Sequence, residues 1–400
     1  MINEKWLGDD GRQEYLNYLK ENNLSEADVL PIIPEANQFK NNPKIAAVLL
    51  RGLLEGHEEL VKKLIDVETL NTNKLLEQMN KSLLERFKAS NVSIEESAYL
   101  GVFPTNSINA HIVRREGGYL ILVNTGLFEL LETIISLFFS VDIGKEKEIA
   151  KVAAEQIRQY CKDRTLPDPF KIDCFTKDQS RIATATQIVN SAEEFVICHE
   201  YGHLIDGHVG HALADLFITP KLKIKVETKT YQQELEADMW GLYALTSIKS
   251  HIGKSLPDSE ERLMVCSGPL FFLLIAALIE EYTGKKGNET HPPAQTRFLE
   301  MRMALSKAGL SEYTYLAKFF RAFSFLVAEE LGVKLGGIGD IVMSVVENRD
   351  ENFKYGYEEI TPISEQFKNL KEHHTRINNP TEKKKDSWWK NLFNFGFKNQ

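Results

Sequence analysis

A chain of 400 residues has the length for two domains, or for one elaborated domain around a large core. With 43% hydrophobic and 26% charged residues it has the composition of a globular protein, and a net charge of -9 argues against a nucleic-acid binder, which needs a basic face. Cys161, Cys174, Cys198 and Cys266 form no CxxC pair, and the charged N-terminus lacks a signal-like apolar stretch, so a reducing cytoplasm is expected.

Residues 1–90 read as a helical region. Apolar residues recur at helical spacing from Ile45 to Ile65 and from Leu70 to Phe87, after a proline-punctuated loop near residues 31–44. The texture changes near Ser93. Two strands joined at Gly117-Gly118 form a hairpin signal, and Leu127 to Phe139 reads as a buried helix. Residues 142–182 are polar and mixed, as in an insertion that covers or flanks a site. Ser191 and Glu194 make a capping-box pattern ahead of an apolar run, predicting a helix from Ser191 through His203 to about His211.

Further helices are expected from about Tyr231 to Ser247, Pro269 to Tyr282, Ala294 to Ala308 and Ser311 to Leu331. The uncharged stretch Leu263 to Ile279 is interrupted by Gly268 and Pro269 and reads as a core helix rather than a membrane span. Residues 383–400, after a helical region over 311–382, form a basic and aromatic tail. Docking on protein, or disorder, is the favoured reading of that tail over contact with an anionic membrane, which would make the chain membrane-peripheral.

His199-Glu200-Tyr201-Gly202-His203 carries the chemistry. Histidines four apart project from one helical face, where two neutral imidazoles can bind one Zn²⁺ beside a carboxylate that handles water. A catalytic zinc needs a third protein ligand. Asp206 and Val209 stand where a metzincin has glycine and histidine, which excludes that class. Glu234-Leu235-Glu236-Ala237-Asp238 begins 31 residues after His203. Glu234 and Asp238 share a helical face, so one can ligate while the other orients a histidine; Glu236 points elsewhere.

These motifs, with Asn109-Ala110, Gly117-Gly118 through Gly126-Leu127, His208, and Thr290-His291-Pro292-Pro293 followed by Arg297, occur in the order found in HtpX and CAAX-prenyl-protease gluzincins. The chain resembles a soluble member of that family over residues 109–127 and 190–300. The resemblance implies an α+β, mostly α zincin (gluzincin) core over 91–310, with a small sheet, the HExxH helix, and helices added at both ends. It further implies an intracellular endopeptidase acting on protein or peptide, with one Zn²⁺ on His199, His203 and Glu234 and with Glu200 as general base.

In this reading His291 is the second electrophile, with Arg297 bracing it; Asp238 and His208 support the ligands from behind, His208 as a cation at the helix end. The run Tyr119, Leu120, Ile121, Leu122, Val123, Asn124 is expected to form the sheet edge where a substrate strand adds, although its apolar content also suits an interior strand. Two other functional readings stay open: a dedicated regulatory or phage-exclusion-type peptidase with one target, and a catalytically idle zinc scaffold. The oligomeric state is not legible.

Overall fold

A computed structural model describes residues 9–25, 98–104, 108–142, 144–163, 175–208, 213–217, 223–227, 229–248, 259–285, 292–307 and 310–336, with Trp6 and scattered residues between 76 and 94. His291, His211, the amphipathic stretch 45–65 and the tail 383–400 lie outside the described residues. In chain order the elements are α1 (Asp9–Glu21), β1 (Ala98–Phe103), β2 (Ala110–Arg115), β3 (Gly118–Asn124), α2 (Thr125–Phe139), α3 (Glu146–Asp163) and α4 (Gln179–Ile205). There follow β4 (Leu213–Phe217), β5 (Lys223–Glu227), α5 (Tyr231–Tyr243) with a π-helical turn over Ala244–Ile248, α6 (Ser259–Thr283), α7 (Ala294–Lys307) and α8 (Tyr315–Leu331). This is a mostly helical α+β chain.

The larger sheet has the order β1-β3-β2, with β1 parallel and β2 antiparallel to β3. Every residue of β3 is buried. Leu120 and Leu122 pack with Tyr15, Tyr18 and Leu19 of α1, while Ile121 and Val123 face the main helical core, so the strand is apolar on both faces. The expected edge strand over Tyr119 to Asn124 is therefore corrected. Its backbone is occupied by neighbours on both sides and cannot receive a substrate strand. Any such addition would fall to β1 or β2, and β2 is the outer strand that approaches α4 and lies against β5.

α4 is the central element, packed by α2, α5 and α6. Its N-terminus is not at Ser191. Asp178 caps the helix by accepting from the backbone N–H groups of Ser180 and Arg181 at 2.9 and 3.2 Å. The chain stays helical through the next turns, and Ser191 is buried mid-helix. It serves a different need. Pro269 within α6 has no N–H and leaves the carbonyl of Val265 without its helical donor; the Ser191 hydroxyl donates to that oxygen at 3.4 Å. α4 ends at Ile205, short of His211.

α6 also starts earlier than expected, at Ser259. By length and composition its stretch Arg262–Thr283 could cross a membrane, but 83% of its apolar window is buried inside the protein, as in a core helix. Phe271 stacks on Phe320 of α8 at 3.9 Å between centroids. The expected insertion is likewise part of the core: α3 buries Ile149, Ala150, Ala153, Ala154 and Ile157 against α8 and α2. Its stripe follows helical periodicity, which its many charges obscure.

Candidate metal centre

The site is made where α4 and α5 cross. Gly202 of α4 is so close to α5 that a Cβ there would lie 2.9 Å from Ala237 Cα and 2.8 Å from Trp240 Cβ. Thr230 caps α5 through a capping box with Gln233, which fixes the start of the helix and puts Glu234 in its first turn. The buried face Glu234, Ala237, Asp238 and Gly241 is thereby turned onto His199 and His203.

His199 Nε2 lies 3.4 Å from one Glu234 oxygen, and His203 Nε2 lies 3.6 Å from the other. The three residues are buried and offer ligand atoms within 4.8 Å of one another. A tetrahedral ion with bonds of ~2.0–2.1 Å separates its ligand atoms by about 3.3 Å, close to the two histidine–carboxylate separations here. The imidazoles meet nearly edge-on, at 86° and 4.8 Å between centroids.

Behind His199, Nδ1 meets Asp238 Oδ1 at 2.9 Å. Arg297, carried in the first turn of α7, donates to both Asp238 oxygens, at 2.6 and 2.8 Å. Arg297 therefore braces Asp238 and through it His199; the expected bracing of His291 lies outside the described residues. Pro293 precedes α7, and Glu280 accepts from Ala294 N–H at 2.9 Å, fixing the helix start that delivers Arg297. On the other ring, His203 Nδ1 lies 3.3 Å from His208 Nδ1, and His208 Nε2 lies 3.1 Å from Glu236 Oε2. Asp206, His208 and Glu236 form a second group with ligand atoms within 4.8 Å, Asp206 being exposed.

The electrostatics follow from burial. Desolvation raises the Glu200 carboxyl to about 7, with Glu234 adding to the rise and His199 and Lys229 opposing it. Burial alone would lower His199, but its hydrogen bonds to Asp238 and Glu234 raise it to about 9. Burial and the nearby His199 hold His203 well below its usual range, as a neutral ring. Asp238 is held down against its burial by Arg297. Burial also lowers His208, with Asp206 and Glu236 opposing the shift.

Three buried carboxylates, Glu200, Glu234 and Asp238, thus face one buried guanidinium. Two imidazole nitrogens and the Glu234 carboxylate converge at one buried point, a donor set that suits a divalent cation with nitrogen and oxygen ligands.

Residues 142–319, a little under half of the chain, match the family model described as Peptidase U49. The matched stretch is similar to a peptidase family. It contains every residue of the site described above. No curated protein and no solved structure gave a match. The match supports a hydrolase acting on protein or peptide.

Sequence reasoning brought together His199, Glu200, His203, Glu234, Asp238, Arg297 and His208. It missed Glu236 as the partner of His208. The available signal was Gly207, which marks the helix end just before His208. It also missed Tyr201, whose hydroxyl donates to the Asn80 side chain, while Asn80 Nδ2 donates to Ala98 O at 3.1 Å and so ties α4 to β1.

Proposed function

We propose that the chain is a zinc-dependent endopeptidase of the gluzincin type, similar to the HtpX and CAAX-prenyl-protease enzymes, with Zn²⁺ held by His199, His203 and Glu234. The convergence of these three side chains in a buried site beside Glu200 carries the reading. When bound, zinc would supply Lewis acidity, acidifying water and polarising the scissile carbonyl.

The chain's own groups do the rest. Glu200, poised near neutrality, accepts the proton of the attacking water and returns it to the leaving amine. Asp238, clamped by Arg297, keeps the proton of His199 on Nδ1 and so leaves Nε2 free to ligate. His291 keeps its proposed role of stabilising the oxyanion; this is supported by its position six residues before Arg297 in the chain.

The test measures zinc by plasma mass spectrometry in the wild type and in Glu234→Ala, and proteolysis of an unfolded protein by the wild type and by Glu200→Gln. About one zinc per chain, largely lost in Glu234→Ala, together with cleavage lost in Glu200→Gln, supports the reading. Wild-type protein without zinc refutes it. Zinc without any Glu200-dependent cleavage favours the idle scaffold.

A further inference from the structure

The end of α4 places two histidines face to face. His208 N–H donates to His203 O at 2.8 Å and Gly207 N–H to Leu204 O at 3.3 Å, with Gly207 at φ 65°. This is a Schellman ending, in which the second residue past the helix folds back onto the third-last helical residue. That contact is usually apolar. Here it joins His208 to His203, with Lys229 Nζ holding the His208 carbonyl at 2.8 Å.

Two ring nitrogens 3.3 Å apart must share one proton between them. For His203 to present a lone pair at Nε2, its proton must be on Nδ1, donated to His208 Nδ1. His208 then carries its own proton on Nε2 and donates it to Glu236 Oε2, 3.1 Å away. Each assignment forces the next.

We propose that His208 and Glu236 are positioning residues for the metal. They hold His203 in its ligating tautomer, and in doing so they bar the Asp206, His208 and Glu236 group from taking a cation while His203 is a ligand. A cation on His208 Nε2 would put the His208 proton on Nδ1, against His203 Nδ1. His203 would then carry its proton on Nε2 and could not ligate. This inference rests on the proposed zinc site.

The test is zinc affinity of the full-length chain by chelator competition. Wild type is expected to bind one zinc tightly. Glu236→Ala should weaken it about tenfold, and His208→Ala at least as much, as when the orienting partner of a ligand is removed. Glu236 has a side chain that is 42% exposed, so its truncation leaves the fold intact, and melting of the chelated proteins verifies this. Because Glu236 acts through His208, the double variant should match His208→Ala alone. His208→Gln, whose amide oxygen can accept from His203 Nδ1, should recover most of the affinity.

Long-range proton–nitrogen spectra of the zinc-loaded, histidine-labelled chain should show Nδ1–H on His203 and Nε2–H on His208. Unchanged affinity in Glu236→Ala overturns the proposal, as does a further loss on adding it to His208→Ala, the reverse tautomers, or two tight zinc ions per wild-type chain. Wild type without zinc removes the metal site itself and this inference with it; one zinc indifferent to Glu236 removes the inference alone.

Discussion

Gly202→Ala tests how the helix crossing makes the site. Alanine in a helix interior is ordinarily better than glycine by about 1 kcal/mol, so on propensity alone the variant should gain stability. The new Cβ, however, would meet Ala237 Cα at 2.9 Å, Ala237 O at 3.0 Å and Trp240 Cβ at 2.8 Å. Carbon atoms pack at ~3.5–4.0 Å, so α5 must retreat by about 0.7–1 Å, and a backbone atom has no rotamer by which to escape. Overpacking of this kind costs about 1–3 kcal/mol, which exceeds the propensity gain.

Glu234 lies one turn from Ala237 on the same buried face, so the retreat falls on its 3.4 and 3.6 Å separations from the histidines. Metal sites tolerate deviations of about 0.2 Å, so zinc affinity should fall at least tenfold, as it does when ligand orientation is lost. Thermal melting of the chelated protein and chelator competition read the two effects separately. A higher melting temperature with unchanged zinc affinity would refute the argument. Gly241→Ala is the internal comparison: its Cβ mainly meets the ring of Phe195, at 2.8 Å, and a side chain can shift, so the penalty should be smaller.

Asp238→Ala should destabilise the chain by about 3–5 kcal/mol, because it strands the buried Arg297 guanidinium, and Asp238→Asn by less; chemical denaturation measures both. Ser191→Ala should cost about 0.5–1.5 kcal/mol by the same method, since the Val265 carbonyl above Pro269 loses its donor; no change would deny the hydroxyl that role. His199 is raised from 6.5 to about 9, so its contribution to stability is full below 6.5 and fades as pH rises through 9. The melting temperature of chelated protein should therefore fall between pH 7 and 9, while the increment added by zinc, which displaces that proton, should grow; a flat profile for both would refute the assignment. His291→Ala should lower kcat by about 10²–10³ with zinc content unchanged, and a lost metal would make it a ligand instead.

Some of this was written locally in the chain. The four-residue spacing of His199 and His203, and the same spacing of Glu234 and Asp238, each define one helical face, so the residues that the fold brings together could be grouped before any fold was known. What was not legible depends on distant partners. A Ser-x-x-Glu pattern at Ser191 looks the same at a helix start and in a helix middle; the difference is made by Asp178 upstream and by Val265, 74 residues downstream. β1 carries strand-forming residues, but its pairing with β3 is a parallel contact made across an intervening strand, which no local pattern specifies. That same pairing decides that β3 is interior, a question its apolar run could not answer.

The two orienting lines differ in what holds them, and this difference ranks their robustness. Asp238 is buried and held by a two-bonded guanidinium, so the proton on His199 Nδ1 is fixed from within the core. The line through His208 ends on Glu236, whose side chain is 42% exposed. A charge that solvent already satisfies binds a proton donor less tightly than a buried one, since water competes for the same oxygen. The His203 arm is therefore the weaker of the two holds on the proposed metal site. Disturbance of the loop after α4, by substitution at Gly207 or Lys229, should loosen zinc without unfolding the helices that carry His199 and Glu234.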